Sequence, residues 1–346
     1  MNVVILSART GWHTDELCRA LAERGHAGRV LPYEGLVAQL GTGRDIARGL
    51  SSEGVTLFDA DAVLARIVPN GSLEQIIYRL DALHWIEQRG VPVVNSPRAI
   101  ERSVDKFYTT ALLQEAGLPT PDTVVCEGTA DAMVAIRAML GRRPASASTP
   151  PSEPGRGRAV ALRANADKAT AVHGGFSEGG GDVIIKPIFG SMGHGMVRVS
   201  DPDIAFRVVR SLEQVRAVFY LQRAVDHGGC DVRVFVVGGR VLGAIERRAP
   251  AGEWRTNVSN GGSARAFDLP PAWEALALRA AAAVGADYAG VDLLPGRDES
   301  VFVLEVNGIP GWQGLQQATG LDVAGAIVGQ VEARVRAVGH GAELPA

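Results

Sequence analysis

The sequence predicts an α/β protein of more than one domain, and three observations carry that expectation. Its 346 residues exceed the about 100–200 that one domain usually organises. The first hundred residues alternate short apolar runs with helical patterns, at Val3–Leu6, Thr14–Glu23, Ala62–Val68, Ser72–Gln88 and Val91–Val94. Such alternation is how parallel strands joined by helices read. Beyond residue 181 the pattern mixes strands (Asp182–Pro187, Val218–Gln222, Val232–Val237, Val241–Ile245) with helices near 203–212, 272–284 and 323–338, and Gly238-Gly239 between two β-rich runs marks a hairpin.

Between these regions the punctuation is local. Gly90, Asn95 and Pro97 close the first unit, and Ser96-Pro97 opens a helix with proline in its first turn. A helix over 106–116 ends at Gly117, Leu118-Pro119-Thr120-Pro121 is an extended link into the strand Thr123–Cys126, and a further helix spans 130–140. Residues 142–181 are crowded with Pro, Ser, Ala and Gly and are expected to be a long surface insertion, partly disordered. No internal repeat is present.

Composition narrows the function classes. The net charge of −3 and the 46% hydrophobic residues describe a globular protein without the overall basic field that drives nucleic-acid binding. Cys18, Cys126 and Cys230 have no paired spacing, so they are expected to be buried small hydrophobes in a reduced, cytoplasmic compartment, with neither disulfides nor a thiolate zinc site. No run approaches the roughly 20 apolar residues of a membrane helix.

The chemistry concentrates near the C-terminus. Ala289–Leu294 and Val301–Asn307 are apolar runs around the polar stretch Pro295–Ser300. If Leu294 pairs with Val301, Asp292 faces Val303, and Glu305 and Asn307 share that face because side chains repeat every two residues. Three oxygen ligands on so apolar a hairpin suit Mg²⁺, although the same spacing also fits acids pointing to solvent. Upstream, Val183–Pro187 leads into Ile188-Phe189-Gly190-Ser191-Met192-Gly193-His194-Gly195. Glycines there would let backbone N–H groups crowd phosphate oxygens, with Lys186 as a fixed charge; an ordinary hairpin turn is the other reading. Neither a Gly-Lys-Ser/Thr phosphate loop nor a dinucleotide fingerprint occurs, Gly41-Thr42-Gly43 lacking the context for one. Arg233 and Arg255 have the setting of carboxylate or phosphate clamps, whereas Arg248 suits a surface salt bridge.

Taken together these residues resemble the ATP-grasp superfamily, and within it the RimK-type ligases that add amino acids, often L-glutamate, to a carboxylate. The resemblance implies an ATP-grasp fold preceded by a Rossmann-like domain: 1–95 as the N-terminal domain, 96–220 as the central lobe with the insertion at 142–181, and 221–340 as the C-terminal lobe. It implies that Asp105-Lys106 opens the ATP-binding unit, that Lys186 is the second nucleotide lysine, and that Gly190, Ser191, Gly193 and Gly195 form the loop over the phosphates. Tyr220-Leu221-Gln222-Arg223-Ala224-Val225 is similar to the hinge whose backbone meets the adenine, though Arg223 stands where the family usually has an acid. Asp231 is implied to contact the ribose. Arg233, Arg247, Arg255 and Asn257 would surround the phosphates and an acyl phosphate. Asp292, Glu305 and Asn307 would bind two Mg²⁺ (or Mn²⁺) ions, with Glu305 bridging, and Pro310-Gly311-Trp312 fits the same pattern. The 80 residues from Lys106 to Lys186 are about twice the family's interval, and the insertion supplies the excess. The implied reaction joins L-glutamate to a coenzyme tail or protein C-terminus in a homo-oligomeric enzyme. Another amino-acid or peptide ligase of this fold, or a module that binds ATP without turnover, are the alternatives.

Overall fold

The computed structural model describes residues 1–41, 49–141, 181–190, 195–256 and 262–339. Most of the insertion, with Ser191, Gly193, His194 and Asn257, therefore lies outside the described residues. The chain forms two compact units: Met1–Pro121 with Ile188–His194 and Val225–Ala346, and Asp122–Pro187 with Gly195–Ala224.

The first unit begins with β1 (Asn2–Leu6), α1 (Trp12–Glu23) and β2 (Ala27–Leu31), then β3 (Leu36–Gln39), β4 (Gly49–Ser52), β5 (Val55–Thr56), β6 (Ala62–Ala65), α2 (Leu73–Gln88) and β7 (Val93–Val94). Strands β2, β1, β6 and β7 pair in that order, all parallel, which is the α/β layer expected. Strand β1 is nearly all buried, so it carries a continuous apolar run. Strand β2 escaped the sequence pattern because only its last two residues turn inward and its first three are exposed. The antiparallel β3-β4-β5 ribbon was also not anticipated. Helix starts were legible from caps: Ser72 accepts from the Gln75 amide, and Ser96 from Ala99 ahead of α3 (Pro97–Val104). Asp105 caps α4 (Lys106–Glu115), and Gly117, at φ 65°, takes the left-handed conformation beyond its end.

The second unit holds β8 (Thr123–Cys126), α5 (Thr129–Met139), β9 (Val183–Pro187), β10 (Val197–Val199), α6 (Pro202–Gln214) and β11 (Phe219–Arg223). Its sheet runs β10-β9-β11-β8, antiparallel throughout, over a core of Ile136, Met139, Ile185, Val209, Phe219 and Leu221.

The rest of the first unit comprises β12 (Cys230–Val237), β13 (Arg240–Arg248), β14 (Ser263–Ala266), α7 (Pro271–Val284), β15 (Tyr288–Pro295), β16 (Val301–Asn307), α8 (Gln313–Thr319) and α9 (Val323–Gly339). Its antiparallel sheet is ordered β14-β13-β12-β15-β16. Gly238 and Gly239, both at positive φ (55° and 72°), make the predicted β12–β13 turn. One face packs Val232, Val234, Val291 and Val303 against α7 residues such as Ala277 and Ala281, which leaves the opposite face free for charge. Among the described residues no helix is long and apolar enough to cross a membrane. The three cysteines are unpaired, as expected, but partly rather than fully buried.

Candidate active site

Strand register assembles the site. The expected pairing of Leu294 with Val301 is not the one found: Pro295 opposes Val301, Leu294 opposes Phe302 and Leu293 opposes Val303. Continued without interruption, that register would put Leu304 across from Asp292 and turn Glu305 to the apolar face. A bulge between Asp292 and Leu293 absorbs one residue of β16, so Glu305 comes directly opposite Asp292 and Asn307 opposite Gly290. The shared face holds, by a different register than the spacing suggested.

Across β12 the row continues. Arg233 opposes Asp292, and two residues earlier Asp231 opposes Arg247 of β13, so all four point to the face of Glu305. Arg233 grips Asp292 with both fork nitrogens, Nε to Oδ1 and Nη2 to Oδ2 at 2.7 Å each. Arg247 grips Asp231 likewise, at 2.7 and 2.6 Å, and reaches Asp292 Oδ2 at 2.9 Å. Asp231, Asp292 and Arg247 are buried. Three carboxylates (Asp231, Asp292, Glu305) against two guanidiniums (Arg233, Arg247) leave the row one negative charge in excess. Burial alone would push the Asp292 carboxyl up, but the Arg233 and Arg247 charges hold it well below the usual carboxylate range. Burial opposes the charge of Arg247 as well, and Asp292 and Asp231 more than restore it.

Glu305 is the open member, its side chain 41% exposed and 3.7 Å from Arg233 Nη2. Asn307 accepts the Ile309 amide at Oδ1 (3.0 Å). Two carboxylates and an amide oxygen are the donors a hard divalent cation takes, and the negative excess favours one. Among the described residues no group of three His, Cys, Asp or Glu side chains forms a metal cluster; the set here relies on the amide of Asn307 as its third oxygen. The residues thus fit Mg²⁺, with Glu305 the more exposed of the two carboxylates.

Other predicted residues fall into place unevenly. Lys106, first in α4, donates through Nζ to the Gly190 carbonyl at 2.7 Å. Burial lowers its pKa, against the pull of Glu305 and then Asp105, so it belongs to the field of the acidic row. In the second unit, Lys186 Nζ meets Gln222 Oε1 at 2.6 Å and stands 5.8 Å from the Tyr220 ring centre. Arg223, the departure from the expected hinge acid, pairs with Asp122 of the same unit at 3.2 Å. The Arg223 and Ala224 amides donate to the Asp122 and Asp182 carbonyls. Gly195 takes φ 74°, as a turn glycine does. Arg255 does not join Arg233 and Arg247; it pairs with Glu253 at 2.7 Å. Where a ribose contact was expected, Asp231 is buried with Oδ1 and Oδ2 engaged by Arg247 and Oδ2 also by Thr256 Oγ1 (2.6 Å). Arg248 bridges at the surface to Glu246, as anticipated.

Two residues went unread in the sequence. Thr256 holds Asp231, and its place beside Asn257 was the only hint. Gly290 gives clearance: a Cβ there would sit 3.0 Å from Pro310 Cβ and 3.5 Å from Arg233 Cδ.

Comparison with known proteins decides the family. The family model for a RimK PreATP-grasp domain matches residues 1–100, and that for a RimK-like ATP-grasp domain matches 178–331. The chain is 33% identical to the tetrahydromethanopterin:alpha-L-glutamate ligase of Methanosarcina acetivorans, over 78% of this chain and 79% of that one. It belongs to the RimK-like ATP-grasp ligases. A probable alpha-L-glutamate ligase of Trichodesmium erythraeum is 31% identical over 95% of both chains. Among solved structures, the RimK domain ATP-grasp protein of Sphaerobacter thermophilus superposes with a TM-score of 0.65 at 22% identity, over 96% of this chain and 100% of that one. The ATP-grasp ligase PsnB with its minimal precursor gives 0.66 at 21%, over 96% and 98%. These likenesses make the fold ATP-grasp and the chain a ligase that forms carbon–nitrogen bonds, in a family that works with ATP and Mg²⁺.

Proposed function

We propose that this RimK-like ligase uses ATP to couple the amine of L-glutamate to a substrate carboxylate, on a coenzyme tail or at a peptide or protein C-terminus. The observation that carries the reading is the Arg233–Asp292–Glu305 row with its single negative excess. The substrate carboxylate attacks the γ-phosphorus and ADP departs. The amine then attacks the acyl carbon of the acyl phosphate, inorganic phosphate leaves, and the ammonium proton passes to phosphate or solvent. Such transfer rests on positioning and charge neutralisation.

Glu305, Asp292 and Asn307 would hold the two Mg²⁺ ions, which when bound neutralise charge on the phosphates. Lys106 and Lys186 serve as nucleotide cations, joined by Gly190, Ser191, Gly193, Gly195 and the backbone of 222–224. Arg233 and Arg247 steady the acidic row. Arg255 and Asn257 take the acyl phosphate, and Asp231 acts by holding Arg247. The domain division at residues 95 and 220, a cytoplasmic location and a homo-oligomeric state complete the proposal; the unpaired cysteines support the compartment.

The test measures acceptor-dependent phosphate release across coenzymes and peptides, with and without L-glutamate, and weighs the products. Mass gains of one or more glutamyl residues are expected. Turnover indifferent to glutamate would overturn the choice of amine, and no ATP consumption with any acceptor would overturn the ligase itself.

A further inference from the structure

A second cluster of the first unit gathers nitrogen donors at the carboxyl ends of β1 and β6. The order β2-β1-β6-β7 means that the chain crosses outward from β1 to β2 and then returns past β1 to β6. In open parallel sheets the crevice outside the carboxyl ends at such a reversal receives ligands. Arg66, the residue after β6, is 2% exposed. It donates to Tyr288 Oη and to the Pro310 carbonyl, each at 3.2 Å, and lies 4.7 Å from the Trp312 ring centre. No Asp or Glu pairs with it among the described residues, and a buried cation without counter-charge is costly.

The groups around it are also donors. His13, in the first turn of α1, accepts the Trp312 amide at Nε2 (3.2 Å) and stands edge-on to the Trp312 ring at 4.6 Å. Burial, then Arg66 and Arg9, push its pKa down to about 4, so the ring is neutral at pH 7 and Nδ1 carries the proton. No acceptor meets Nδ1 among the described residues. Arg9 is exposed on the loop leaving β1 and forms no ion pair among the described residues. Gly11 offers helix α1 no side-chain cap, is exposed, and would bring a Cβ near nothing within 4 Å, while its own amide donates to Thr14 Oγ1 at 2.8 Å. Independently, the buried Trp312 Nε1 has no hydrogen-bond partner. The acid of this turn, Asp15, is exposed and unpaired among the described residues.

We propose that Arg9, His13, Arg66 and the amino end of α1 form a subsite for a carboxylate of the acceptor other than the one activated, so that the acceptor is at least a dicarboxylate. Arg9, His13 and the α1 amides make the contacts, and Arg66 supplies charge from beneath. Pro310, which Arg66 holds, follows Asn307 by three residues. The substrate half of this inference rests on the ligase reading above; the anion site does not.

The full-length protein, isotope-labelled at histidine and without ATP, is titrated with glutarate, with neutral glutaramide and with inorganic phosphate. The His13 resonances, assigned by their loss in His13→Gln, should move with glutarate and stay with glutaramide. Glutarate affinity should fall about tenfold in Arg9→Ala and in Arg66→Met; Arg9→Ala, at an exposed position, guards against misfolding of the buried variant. Resonances unmoved by glutarate, or a response unchanged in Arg9→Ala, would overturn the site. Phosphate binding as tightly as glutarate would overturn the carboxylate assignment. With an acceptor the enzyme uses, amidating its second carboxylate should raise KM about tenfold and spare kcat; equal KM would sink the substrate half while leaving the ligase standing. Glutarate binding at His13 in a protein that ligates nothing would sink the ligase and leave the subsite.

Discussion

Arg247 and Arg66 are both buried guanidiniums, 4% and 2% exposed, yet their surroundings are opposite. Arg247 has two carboxylates, Asp231 and Asp292, at 2.6 and 2.9 Å. Arg66 has a phenol hydroxyl, a carbonyl and an indole face. In the first region the buried arginine is matched by carboxylates from neighbouring strands, and Glu305 is the most exposed acid of the row. The second has no counter-charge among the described residues, and under the proposal above a ligand brings it. One arrangement holds machinery in place; the other waits for a partner.

The comparison is broken most easily at Arg247. Arg247→Met removes the shared partner of two buried carboxylates, and unfolding free energy by chemical denaturation should drop by about 3–5 kcal/mol. A loss under about 1 kcal/mol would mean that Arg233 and Thr256 suffice, and that the row is not one coupled unit.

Glu305 tests the open end. Its carboxylate is half-exposed and lies 3.7 Å from Arg233 Nη2, so Glu305→Gln, which keeps the side chain's size and one of its oxygens, should change stability by less than about 0.5 kcal/mol. Acceptor-dependent ADP formation should nevertheless fall by about 10²–10³ in kcat. Comparable activity in the variant would remove Glu305 from the chemistry, whatever its place in the sheet.

His13 distinguishes the second region by pH. Its folded pKa, about 4 against 6.5 for the free side chain, means that the unfolded chain binds the extra proton in that window. Stability from this group is therefore complete above about pH 6.5 and is lost as pH falls toward 4. Since the ring is only partly buried, the discounted effect is about 1–2 kcal/mol. Melting temperature followed across that range should slope less in His13→Gln, and identical slopes would show that His13 is not held neutral by burial and its two arginines.

How much of this was legible in advance follows the range of each interaction. Caps at Ser72 and Ser96 and the Gly238-Gly239 turn are set within four residues, and the sequence displayed them. The chemical identity of Asp292, Glu305, Arg233 and Lys186 could also be read, because apolar strands leave few other reasons for charge. What stayed hidden was pairing. Nothing local marks the bulge that brings Glu305 opposite Asp292, since the extra residue, Leu304, is apolar like Val303 before it. Arg247 could not be matched to Asp231, nor Arg255 to Glu253, without the register or the loop path. Arg66 carries no signal of its own in the sequence: what sets it apart is that no acid among the described residues pairs with it, and only the fold shows that.

The smallest effect is the most discriminating. Arg66→Met removes hydrogen bonds to two neutral acceptors, at about 0.5–1.5 kcal/mol each, and a ring contact of similar size. It also relieves the desolvation of an uncompensated cation and keeps an apolar body of related length, so the net change should stay under about 1 kcal/mol. Arg247→Met, the same exchange in the balanced region, should cost several times more. Adding glutarate should then raise the melting temperature of the wild type through binding to the folded state, and raise that of Arg66→Met much less. If Arg66→Met instead collapses the fold as Arg247→Met does, Arg66 is a structural pin for the Pro310–Trp312 segment, and the contrast between the two guanidiniums disappears.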